Sequence, residues 1–180
     1  METLQRIKER RSVRRFLDKA VDREVMTKIV EAAAWAPSWK NTQTPSFTVI
    51  DNKEIIQDIA ENGCLGFDFN KKTLMQTPVL VVVSYVKGIC GFERDGSYST
   101  AKGDRWQMFD AGIAAQTFSL AACEYGVGTV MLGIYDEEYI SQKINLPENQ
   151  EMAILIAAGY PKFEPDTPKR KGTDRILTFL

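Results

Sequence analysis

The chain has 180 residues, 44% apolar and 26% charged, which fits one core or one protomer of an oligomer and excludes a disordered chain. A net charge of −1 excludes a general polyanion binder. The absence of histidine excludes a Ser-His-Asp triad, a Cys-His dyad and any zinc site built on imidazole.

The opening METLQRIKERRSVRRF is too polar for a signal-peptide core, so the expected location is cytoplasmic. Within it TLQRIKERRS reads as a short helix with Leu4 and Ile7 on one face. A second helix is expected from a cap at Asp22 to about Trp35, with Val25, Ile29, Ala32, Ala33 and Ala36 as its stripe and Pro37 as its stop. PSFTVID (45–51) reads as a strand, and Lys53 to Glu61 as a helix stopped by Asn62-Gly63. Asn70, Lys71 and Lys72 read as a polar turn.

TPVLVVVSYV (77–86) is a continuous apolar run suited to a sheet centre covered on both faces. It is strand-sized, and no run approaches the roughly 18 apolar residues of a membrane span. Gly88 to Gly103 reads as a long mobile loop, and Asp104 to Tyr125 as a buried helix. That helix carries a small-residue stripe, Ala111, Ala115, Ser119 and Ala122, which lets another helix approach closely. GTVMLGIY, a helix capped by Asp136, and EMAILIAAGYP (151–161) complete the pattern before a polar, basic tail ending in ILTFL. The fold class expected is α+β (an α/β three-layer arrangement) of about four strands in a single domain, 1–180. Cys64, Cys90 and Cys123 lie far apart without CxxC, which argues against disulfides and a four-thiolate metal site.

Four segments hold groups capable of binding chemistry. Arg6, Lys8, Arg10, Arg11, Arg14 and Arg15 face the single acid Glu9, with Ser12 among them, and Lys169, Arg170, Lys171 and Arg175 form a second cluster. Arginine forks with a hydroxyl suit a phosphate dianion, although a solvated helix end is the commoner outcome of such a run. Ala36 to Pro45 is loaded with hydroxyl and amide groups that both donate and accept. Tyr125 to Gly133 is not GxGxxG, because Met131 stands where the third glycine would fall, so its glycines fit close packing instead. The Asn70 turn is the fourth.

In this order the segments resemble the nitroreductase family of FMN-dependent oxidoreductases. The motifs are R-R-S-x-R (Arg10 to Arg14), A-P-S-x-x-N-x-Q (Ala36 to Gln43), D-x-G-x-A-x-Q-x-x-x-L-A-A (Asp110 to Ala122) and A-G-Y-P (Ala158 to Pro161). The resemblance implies a mostly antiparallel sheet flanked by helices and a homodimer with FMN at the subunit interface. It also implies a C-terminal arm on the partner, with the small-residue stripe at the dimer seam. Arg10, Arg11, Ser12 and Arg14 from one end, and Lys169, Arg170 and Lys171 from the other, would hold the phosphate and ribityl chain, with Arg14 the candidate for the flavin N1/C2 carbonyl. Pro37, Ser38, Trp39 and Asn41 would come from the second subunit. Asn70 would address the pyrimidine edge, and Leu132, Gly133 and Ile134 the ring near N5.

Departures from the family pattern sit at Trp39, bulky where a small residue is usual, at Asn41-Thr42-Gln43-Thr44-Pro45 in place of N-x-Q-P-W, and at Thr73 in place of a lysine. Trp39 would stack over the flavin or narrow the substrate pocket. The implied reaction moves hydride from NADH or NADPH through flavin N5 to a nitroaromatic or quinone, with no catalytic side chain and no metal. Alternatives on the same fold are dehalogenation, flavin fragmentation, dehydrogenation, or a flavin-binding protein without turnover. A nucleic-acid module rests on the Arg6–Arg15 cluster alone, and neither nucleic acid nor membrane is expected as a partner.

Overall fold

Val79–Val86 form β2, whose side chains alternate between two separate cores. Leu80 and Val82 join one core, while Val79, Val81, Val83 and Tyr85 join the other. The computed structural model, which describes residues 3–180, orders the sheet β1-β2-β4-β3 with every pairing antiparallel. Here β1 is Pro45–Ile50, β3 is Gly128–Leu132 and β4 is Gln150–Gly159. The four strands and three-layer arrangement agree with the sequence pattern, and the antiparallel sheet with the family resemblance. Burying each Val, Leu or Ile of β2 contributes about 1.5–3 kcal/mol.

Of the six α-helices among the described residues, five cover the sheet. One face carries α3 (Lys53–Asn62), α4 (Asp68–Leu74) and α6 (Glu137–Lys143), which bring Ile56, Ile59, Leu74 and Ile140 into the first core. The other carries α2 (Arg23–Ala33) and α5 (Arg105–Glu124). Asp22 caps α2 by accepting from Glu24 N, and Asp136 caps α6 by accepting from Tyr139 N. The short α1 (Thr3–Glu9) buries none of its residues and is tied down by Arg6 Nε donating to Glu124 Oε2 at 2.6 Å.

Three expectations need correction. Asn70 to Lys72 is not a turn but the middle of α4, where Asn70, Thr73 and Leu74 bury at helical spacing. The Ala111, Ala115, Ser119 and Ala122 stripe is buried inside the protomer rather than held open for a second chain, with its three alanines packed among residues of the sheet and α2. The exposed face of α5 holds Met108 and Phe109 instead. The Gly88–Gly103 loop has its own hydrogen-bonded order: Glu93 N donates to Ser97 O at 2.8 Å and Ser99 N to Gly91 O at 2.9 Å. Among the described residues, no helix is long and apolar enough to cross a membrane.

After α1 the chain runs along β3, with Val13 and Phe16 buried beneath it. Gly128 makes this possible, since a Cβ there would lie 2.6 Å from Val13 Cγ2. Gly128→Ala is expected to lower stability by about 1–3 kcal/mol in urea unfolding. Combining it with Val13→Ala should cost less than the two single changes added together.

Candidate functional site

The Arg10–Phe16 segment is held by backbone bonds on both sides. Val13 N donates to Thr129 O at 2.9 Å, Leu17 N to Tyr160 O at 2.9 Å, and Lys162 N to Arg15 O at 3.0 Å. With Val13 and Phe16 turned inward, Ser12, Arg14 and Arg15 are exposed on the outside. Arg11 is engaged differently from its expected role. Its guanidinium donates to Lys8 O and Arg10 O, closing the end of α1, and to the Thr167 hydroxyl of the tail.

That Arg11–Thr167 contact brings the two chain ends together. Lys169 follows Thr167 by two residues and Lys171 by four, within about 7 and 14 Å of chain reach. Among the described residues, Arg10, Arg14, Arg15, Lys169, Arg170 and Lys171 take part in no ion pair. Cations drawn to one region and held in no ion pair create a field that favours an anion.

At the far end of β3, Leu132 is buried while Gly133 and Ile134 emerge at the surface. Four residues of strand separate Thr129 from Gly133, about 13 Å. Asn70, buried on α4, donates its amide to Ile134 O at 2.9 Å. Two expected site elements 64 residues apart in sequence therefore meet. Around Gly133 the structure is open, a Cβ there meeting only Ile154 Cδ1 at 3.7 Å.

Pro37, Ser38, Trp39 and Asn41 lie in the loop between α2 and β1, beside the opposite edge of the sheet. Three interstrand spacings, about 14 Å, separate β1 from β3. One chain does not bring this loop to the Arg10–Ile134 edge. The loop itself is strained, with positive φ at Lys40, Asn41 and Gln43 (45°, 56° and 51°), each costing on the order of 1 kcal/mol. It is held by Gln43 N donating to Ser38 Oγ at 3.0 Å and by the Lys40–Glu93 ion pair at 2.9 Å. The Trp39 indole packs on Trp106, ring centroids 4.5 Å apart. One face of the bulky ring is thus covered by its own chain.

Asp110 opens the D-x-G-x-A motif, and the family resemblance assigns it no role. It is buried on α5, and its Oδ2 accepts from Trp39 N at 2.8 Å and from Cys90 Sγ at 3.0 Å. An acid amid the apolar stretch of this helix, away from its ends, is the available signal. Burial first, and then the bond to Asp110, pushes the Cys90 thiol up to about 12.

The site joins an α+β scaffold, an edge whose cations form no ion pair among the described residues, a buried amide and open backbone groups, a donor set suited to an anionic ligand with a polar end. Family comparison then places the chain: the nitroreductase family model matches residues 7–62 and 67–160, and the chain belongs to that family. It is 31% identical to a Methanothermobacter thermautotrophicus protein named "Putative NADH dehydrogenase/NAD(P)H nitroreductase", across 98% of this chain and 86% of that one. It is 27% identical to the iodotyrosine deiodinase of Daphnia pulex, across 98% of this chain and 65% of the relative. A crystal structure of a "putative nitroreductase in complex with FMN" from Desulfovibrio desulfuricans superposes with a TM-score of 0.79 at 27% identity, covering 100% of this chain and 97% of that one.

Thiol labelling checks the Asp110 pairing. Cys123, only partly covered, should react first in the native protein, while Cys90 labelling stays far slower and keeps rising up to about pH 10 without levelling off, because its thiol ionises only near about 12. Cys90 reacting as fast as Cys123 would contradict the buried, protonated thiol.

Proposed function

We propose that this chain is a homodimeric, FMN-dependent oxidoreductase that takes hydride from NADH or NADPH and reduces a small acceptor such as a nitroaromatic or quinone. The observation that carries this reading is the set of cations without ion pairs along an edge that continues to Asn70, Gly133 and Ile134. The donor set fits FMN. Charge and hydroxyl donors sit at one end for a phosphate, and exposed backbone with a buried amide sits about 13 Å away for a polar ring.

When bound, FMN supplies two-electron chemistry at N5, which suits a chain without histidine. Arg10, Ser12 and Arg14 would offer the phosphate charge-assisted donors, while Arg11 keeps the tail in place. Lys169, Arg170 and Lys171 would add positive potential from that tail. Asn70 fixes the Ile134 carbonyl, and so the direction of the Gly133–Ile134 backbone beside the ring. The Pro37–Asn41 loop would close the site of a second copy, because within its own chain it borders the other edge of the sheet. Exposed Met108 and Phe109 on α5, and Ile176, Leu177 and Phe179 in the tail, supply apolar surface for such a dimer.

A second reading, reductive dehalogenation of an aromatic substrate, is favoured by the resemblance to the Daphnia deiodinase. Halide release from an iodinated phenol under reducing conditions separates it from nitro-group or quinone reduction.

The purified protein should be yellow, and should bleach when NADH or NADPH is added without oxygen. Arg10→Ala and Arg14→Ala should each weaken FMN binding by about tenfold or more, with a smaller salt dependence than the parent. A colourless protein that refuses added FMN would refute the reading.

A further inference from the structure

The Asp110 carboxylate is only 2% exposed and forms no ion pair among the described residues. Burying such a group is costly unless its bonds fix something in return. Its two donors belong to two different loops: Trp39 N–H to the α2–β1 loop at 2.8 Å, and Cys90 Sγ–H to the β2–α5 loop at 3.0 Å. The same two loops meet again on the outside through Lys40 and Glu93. A half-open cavity of about 390 Å³ borders the first loop, lined by Ala36, Pro37, Ser38, Gln43, Asp110 and Ala114. The loop also carries three non-glycine residues at positive φ, so it does not hold its shape by local preference.

We infer that Asp110 is a positioning residue: by accepting from Trp39 N–H and Cys90 Sγ–H at one oxygen, it sets the Pro37–Asn41 loop in register with the Gly88–Gly103 loop. Its consequence for FMN rests on the function proposed above, in which the Pro37–Asn41 loop closes a flavin site. The raised pKa of Cys90 keeps its thiol a donor over the physiological range.

Amide hydrogen exchange on the full chain without added flavin, followed by FMN titration, tests this for Asp110→Asn, Cys90→Ala and Cys90→Ser. In Asp110→Asn, exchange in segments 37–44 and 88–93 should rise about tenfold, β2 and β4 should be unchanged, and FMN should bind about tenfold more weakly. Cys90→Ser keeps a donor and should behave as the parent, whereas Cys90→Ala should loosen 88–93 alone. If Asp110→Asn does not fold, Cys90→Ala decides: loosening confined to 88–93 supports the role, and no loosening overturns it. Unchanged exchange in 37–44, exchange raised uniformly along the chain, or loosened loops with unaltered FMN affinity in Asp110→Asn each overturn it. If the parent chain takes up no FMN, the functional reading fails, and the exchange pattern alone decides the part played by Asp110.

Discussion

Beside β3 the chain gathers cations that form no ion pair among the described residues. Arg10, Arg14 and Arg15 come from one end and Lys169, Arg170 and Lys171 from the other, joined where Arg11 grips Thr167. Like charges brought together repel, so cations gathered without ion pairs are stabilised by an anion placed among them. Val13 and Phe16, wedged against Gly128 and Gly159, fix the backbone that presents the first cluster. The tail that bears the second starts from Lys162, whose N–H donates to Arg15 O, and is held further on by Arg11 at Thr167.

Sheet order then determines how a site can be completed. With β1 and β3 at opposite edges, the polar α2–β1 loop and the cationic edge face away from each other within one chain. In the proposed dimer, two copies in antiparallel arrangement would juxtapose one chain's loop with the other's edge, and a twofold axis would do so twice. The strain in that loop and its tether to Asp110 fit a segment shaped for a neighbour rather than for its own core.

Much of this was legible in the residues. β2 and α5 were visible as apolar runs, α2 and α6 by their capping aspartates, and β3 as the segment GTVMLGIY. The helix α4 was not, because seven residues containing Lys71 and Lys72 show no periodic stripe; Asn70, Thr73 and Leu74 are drawn inward by tertiary contact. The small-residue stripe of α5 gave a correct reading of close approach but not of its partner, since spacing alone does not distinguish a chain's own sheet from another molecule. Arg11 looked equivalent to its neighbours, and only the path of the tail separates its role from theirs. The Asn70–Ile134 bond and the Asp110 pairings span 64, 71 and 20 residues, beyond any local pattern.

The most direct measurement mixes two disabled variants, Arg10→Ala/Arg14→Ala and Trp39→Ala/Asn41→Ala, after dissociation and reassociation. If each site takes its cations from one chain and its loop from another, random pairing restores about a quarter of the parent's flavin-dependent activity. If both halves of a site come from the same chain, the mixture stays as inactive as either variant alone, and the account of a shared site fails.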